Sequence, residues 1–151
     1  MSSLFKRDNF FSAAEKERIV EAIRQAELQT SGEIRVFVER KNPMVDPVDR
    51  ARQVFHKLKM EHTRQRNGVL LYIAVKHHEL ALYGDTGIHE KVGAGYWKTA
   101  IANIIQHFKE NNLAEAIVKS IRAAGDTLKE KFPYDHTTDK NELPGDIVFG
   151  E

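Results

Sequence analysis

A chain of 151 residues, 41% hydrophobic and 30% charged, has the size and composition of one globular domain. Its formal net charge of +1 gives no global pull toward nucleic acid or an anionic membrane, and the lack of cysteine excludes a disulfide framework, a thiol nucleophile and a Cys-based zinc site. The opening MSSLFKRDNFFSAAEKE has no signal-peptide apolar core, and no apolar run approaches the roughly 20 residues of a membrane span. The expectation is a cytoplasmic, monomeric protein.

In chain order, Phe5, Phe10 and Phe11 form an aromatic lead that needs the body of the domain to cover it. Ser12-Ala13-Ala14-Glu15 is a capping box, in which hydroxyl and carboxylate satisfy each other's backbone amides. The spacing of Ile19, Ile23 and Ala26 predicts a helix to about Thr30, with Gly32 after its end. Glu33 to Arg40 alternates Ile34, Val36 and Val38 against Glu33, Arg35, Phe37 and Glu39, the pattern of a strand. After an irregular link with two prolines, Asp46 is placed as N-cap with Pro47 at the first helical position. Ala51, Val54, Phe55 and Leu58 make the apolar stripe of a second helix ending near His62.

Two further apolar runs, Val69 to Val75 and Leu80 to Tyr83, flank Lys76-His77-His78-Glu79 and predict an antiparallel hairpin. Thr86 to Ala94 reads as a loop or single turn anchored by Ile88 and Val92. A third helix is predicted over Gly95 to Lys109, with Ile101, Ile104, Ile105 and Phe108 on a broad buried face, and Asn111-Asn112 breaks it. A fourth carries Leu113, Ile117, Ile121, Ala124 and Leu128 and stops at Phe132-Pro133; Gly125 inside it calls for close packing there or an approach to the site. Residues 1–133 therefore form one domain. Residues 134–151 form a partly disordered acidic tail (Asp135, Asp139, Glu142, Asp146, Glu151), whose Ile147-Val148-Phe149 is able to pin back onto the body. The sum is an α/β fold, a βαββαα core preceded by a helix, with a small mixed sheet between helical layers.

This topology has a chemical consequence. With the first two strands parallel and the third running back, the starts of strands one and two and the end of strand three share one sheet edge. Glu33, Asn67 and Asp85 occupy those places, beside Gly32, Gly68, Gly84 and Gly87. Oxygen ligands on glycine-flanked loops suit a hard divalent cation, whereas Asn-Gly and Gly-Asp are also ordinary turn pairs. By spacing alone, Asp46 and Asp49 are helix caps, and the seven histidines form no metal motif. There is no P-loop, nucleophile elbow, EF-hand loop or dinucleotide fingerprint.

Thr30-Ser31-Gly32-Glu33-Ile34, Asp49-Arg50-Ala51 before Val54-Phe55, Asn67-Gly68-Val69-Leu70-Leu71 and Gly84-Asp85-Thr86-Gly87-Ile88 together make the chain resemble the TPM-domain family over roughly residues 8 to 149. Trp97, Phe132-Pro133, Glu142-Leu143-Pro144 and Asp146-Ile147-Val148-Phe149 are similar to its bacterial soluble members. The resemblance implies a three-layer α/β/α sandwich and an acidic cleft able to take a divalent cation, calcium or magnesium. It places Glu33, Asp49, Asn67 and Asp85 at the family's recurring polar positions, and it carries the family's phosphatase label. Two functions follow as expectations: a cation-binding regulatory module that engages another protein, or a metal-dependent phosphoesterase with Arg50 neutralising charge on the phosphoryl group.

Overall fold

A computed structural model describes residues 10–106, 108, 113–134 and 147–150. Phe5, Lys109, the Asn111-Asn112 break and the acids of the tail lie outside the described residues. The elements are α1 (Ala13–Glu27), β1 (Glu33–Glu39), α2 (Pro47–Lys57), β2 (Gly68–Ala74), β3 (Glu79–Gly84), α3 (Thr86–Val92), α4 (Tyr96–Ala100), α5 (Ala102–Gln106), α6 (Leu113–Lys131) and β4 (Ile147–Phe149). The sheet order is β3-β2-β1-β4, with β1 parallel to both β2 and β4 and β3 antiparallel to β2.

Side-chain alternation along the strands creates two cores. On one face Ile34, Val36, Val38, Val69, Leu71, Ile73, Leu80 and Leu82 meet Ile19 and Ile23 of α1, Trp97 of α4 and Ile117, Ile121, Ala124 and Leu128 of α6. On the other, Phe37, Leu70, Tyr72, Ala74 and Ala81 meet Ala51, Val54 and Phe55 of α2, with Met60 just beyond it. Helices on both faces of a mixed sheet make a three-layer α/β/α sandwich, as expected. Because both faces are covered, every residue of β1 and β2 is buried, polar ones included.

The predicted caps are present. Ser12 and Glu15 form the reciprocal box of α1, and Asp46 caps α2 through the Val48 amide at 2.7 Å. Several segments differ from expectation for local reasons. Thr86 to Val92 is helical because the Asp85 carboxylate caps it. The predicted third helix is split at Ile101 into two short pieces, and Ile105 is exposed instead of joining the core. The second helix stops at Lys57, after which Lys59 adopts a left-handed backbone.

Gly125 is explained by packing. A Cβ there would stand 2.8 Å from the Cβ of Ala26, where α1 and α6 cross. Gly87 is more constrained, since a Cβ would lie 2.1 Å from the Gln65 carbonyl oxygen. Gly125→Ala is expected to cost stability, about 1–3 kcal/mol of overpacking against a helix-propensity gain of about 1 kcal/mol. Gly87→Ala is expected to cost more, because the obstacle is backbone. Urea unfolding of the two variants checks both signs and their order.

Candidate functional site

The expected sheet edge exists. The Glu33 amide donates to the Asn67 carbonyl at 3.3 Å, and the Asp85 amide donates to the Gly68 carbonyl at 3.0 Å. Their side chains, however, go to three different tasks. Asp85 is 3% exposed, and both its carboxylate oxygens are engaged. Arg66 donates Nε–H to Oδ2 at 2.7 Å and Nη2–H to Oδ1 at 2.9 Å, while the Thr86 amide also donates to Oδ1 at 2.7 Å. Strand parity turns Asn67 to the face opposite Glu33, where its Nδ2 donates to Ser31 Oγ at 3.2 Å and its buried Oδ1 has no partner. Glu33 and Asp85 lie on either side of β2, about two strand spacings or roughly 10 Å apart along the backbone.

Glu33 interacts with a residue that periodicity hides. Glu27, at the end of α1, accepts the Ile34 amide at 2.8 Å and shares a hydrogen bond with Glu33. Burial, with the Glu33 charge adding to it and the Ile34 amide opposing, pushes the Glu27 carboxyl up to about 8. Buried Arg35 completes the group, its guanidinium held below its usual range by desolvation against the opposing charges of Glu33 and Glu27.

At the other end of β1, Glu39 is 3% exposed and anchors a second polar group. Arg50 grips its carboxylate bidentately at 2.8 and 2.9 Å, and the Tyr72 hydroxyl donates to the same Oε2. Desolvation, followed by this hydrogen bond, raises the Tyr72 phenol. Arg50 is thus committed to a buried carboxylate, which corrects the expectation of a free charge neutraliser. Nearby, Asn42 donates to Glu79 at 3.1 Å and accepts the Met44 amide at 2.8 Å, fixing the loop that leads into α2.

Asp49 belongs to neither group. It sits on the first turn of α2, with a single long contact of 3.4 Å to Arg52. There it lines a cleft of about 340 Å³ between α2, the end of β3 and the Gly93–Lys98 segment. Asp46, His89, Trp97 and Lys98 line the same cleft. Asp46 Oδ1 is used by the Val48 amide, and Asp46 as a whole is exposed. Gly93 and Gly95 on the facing wall both have positive φ, which gives the backbone its turn past the cleft mouth. The fold therefore brings Glu33, Asn67 and Asp85 to one edge and places Asp49 in a cleft that Asp85 does not line. Among the described residues, no three His, Cys, Asp or Glu side chains converge as a metal-holding group.

Sequence reasoning passed over Glu27, Glu39, Arg66, Tyr72, His89 and Lys98. Arg66 carried one available signal, standing directly before the Asn67-Gly68 pair. The Glu39–Arg50 pair had none, because a strand end and a helix turn eleven residues later meet only through the crossover.

Two outcomes follow. Folded Glu27 binds its proton more tightly than the unfolded chain does. Its contribution is complete below the ordinary carboxylate value of 4.5 and is lost as pH rises toward about 8. Thermal unfolding of the wild type is expected to weaken across that window, and Glu27→Gln is expected to flatten the dependence. Arg50→Ala strands a buried carboxylate and is expected to cost about 3 kcal/mol or more in chemical unfolding.

Comparison with known proteins agrees with this fold. The TPM domain pattern matches residues 4–127. The BA42 protein from the psychrophilic bacterium Bizionia argentinensis, solved by NMR, is similar at 44% identity and a TM-score of 0.82, covering 93% of this chain and 96% of its own. No curated protein matches. The three-layer sandwich and this match over most of the chain assign the protein to the TPM domain family.

Proposed function

We propose that the protein is a binding module whose site is the cleft at the start of α2, where Asp46 and Asp49 take a divalent cation. The observation that carries this reading is the presence of two carboxylates, neither fully engaged, in one solvent-open cleft of about 340 Å³. Such a donor set fits magnesium or calcium held by one or two carboxylates with water completing the shell. Of the four ligands expected from sequence, Asp49 keeps that role. Asp85 fits poorly, because a cation there would have to displace the Arg66 guanidinium and the Thr86 amide. Glu33 and Asn67 are read as structural, working with Glu27 and Ser31.

A metal-dependent phosphoesterase is the second reading, favoured by His89 and Lys98 on the walls of the same cleft. A cation on Asp46 and Asp49 would polarise a phosphoryl oxygen when bound, and Lys98 would attract the anionic ester. The cleft lacks an evident base for activating water beyond His89, which places binding ahead of catalysis.

Amide NMR titration with calcium and then magnesium tests the proposal. Saturable shifts are expected at Asp46–Asp49 and Gly93–Lys98. Shifts centred on Glu33, Asn67 and Asp85, or none at millimolar metal, would contradict it. Metal-dependent turnover of a phosphate ester that is lost in His89→Ala would promote the second reading.

A further inference from the structure

The wall of the cleft that faces Asp46 and Asp49 has a chemistry of its own. It carries Trp97 and Lys98, and Leu82 and Val92 add apolar lining. Trp97 is 9% exposed, and a tryptophan so far withdrawn from water normally gives its indole N–H to an acceptor. Among the described residues no acceptor takes it. The Nε1 atom lies over Gly84, where a Cβ would stand 2.7 Å away, and Gly84 lines the same cleft. A donor is thus fixed at the cleft with its partner still to come. Lys98, the next residue, is exposed, and no carboxylate of the described residues pairs with it.

The two walls together define the charge of what fits between them. A divalent cation on Asp46 and Asp49 balances both carboxylates, a step that rests on the cation reading above, and Lys98 then leaves one positive charge in excess. His89 adds to that excess only when protonated. A single excess charge matches a carboxylate, whereas a phosphate dianion would overcompensate it. Carboxylate oxygens are also ready ligands for calcium and magnesium whose shell is otherwise filled by water. Leu82, Val92 and the indole ring offer an apolar seat beside that position, in a cleft of about 340 Å³.

We propose that the cleft binds an organic monocarboxylate that bears an apolar group, its oxygens shared between the cation on Asp46 and Asp49 and the donors Trp97 Nε1–H and Lys98 Nζ. The same chemistry is offered by a free apolar acid and by a peptide C-terminus that ends in an apolar residue.

Trp97 is the single tryptophan, so its indole N–H gives one NMR signal of its own. With magnesium saturating, hexanoate and an acetylated dipeptide ending in leucine are titrated separately, and the tighter of the two identifies the source. A saturable downfield shift of the indole proton is expected, and none with the corresponding amides. Affinity is expected to fall about tenfold or more when a chelator replaces magnesium, and likewise in Lys98→Met. Trp97→Phe keeps a ring and removes the donor, and is expected to weaken binding several-fold, read at the Gly95 and Lys98 amides. Magnesium shifts at Asp46–Asp49 with an indole signal that neither carboxylate moves, or phenyl phosphate binding more tightly than both, would overturn this inference and leave the cation reading standing. Amides of Asp46–Asp49 unmoved by magnesium would overturn the cation reading and this inference with it.

Discussion

The buried carboxylate of Glu39 is the constraint on which most of the architecture turns. A charge removed from water at the end of a central strand must be compensated, and Arg50 and Tyr72 supply three hydrogen bonds between them. Tyr72 ties β2 to β1 beyond the backbone ladder. Arg50 fixes the first turn of α2, and with it the position of Asp46 and Asp49 beside the Gly93–Lys98 wall. The aliphatic part of Glu39 also forms the floor on which Gly150 rests. One side chain therefore registers the helix that carries the cleft and the groove that receives β4.

The opposite end of β1 shows a different use of buried charge. Glu27 covers the bare Ile34 amide at an edge that β4 does not reach, so the strand needs no neighbour there. Placing that carboxylate beside Glu33 keeps one of the pair inclined to hold a proton, and Arg35 shares the remaining charge. Asp85 works in the same way across the sheet, with Arg66 as its counter-ion and the start of α3 as its second load. These contacts engage Glu33 and Asp85, two of the polar positions that the sequence places at this edge.

Much of this was legible in the residues. Alternation in Glu33–Glu39, the apolar run from Val69 and the hairpin after it supply three strands and their directions, and the capping box and Asp46-Pro47 supply two helix starts. The same topology correctly gathers Glu33, Asn67 and Asp85 at one edge. What it does not supply is where each side chain points. Asn67 precedes Gly68 by one residue and so faces away from Glu33, and Arg66, whose backbone is left-handed at φ 51°, reaches Asp85. The Ile147-Val148-Phe149 triplet was visible as an apolar anchor, but its partner strand was not, because a three-residue parallel pairing leaves no periodic trace. The cleft escaped for a similar reason, since its walls come from α2, β3 and α3 to α4, with no shared motif.

The proposed reading is that the carboxylates of this TPM domain divide between structure and binding, with Asp85 holding the fold and Asp49 holding the ligand. Isothermal calorimetry of magnesium binding to Asp49→Asn and Asp85→Asn, each at a temperature where it is fully folded, tests that division most directly. The account predicts affinity reduced about tenfold or more, roughly 1.4 kcal/mol, in Asp49→Asn and nearly unchanged in Asp85→Asn. The reverse pattern would contradict it and return the cation to the sheet edge.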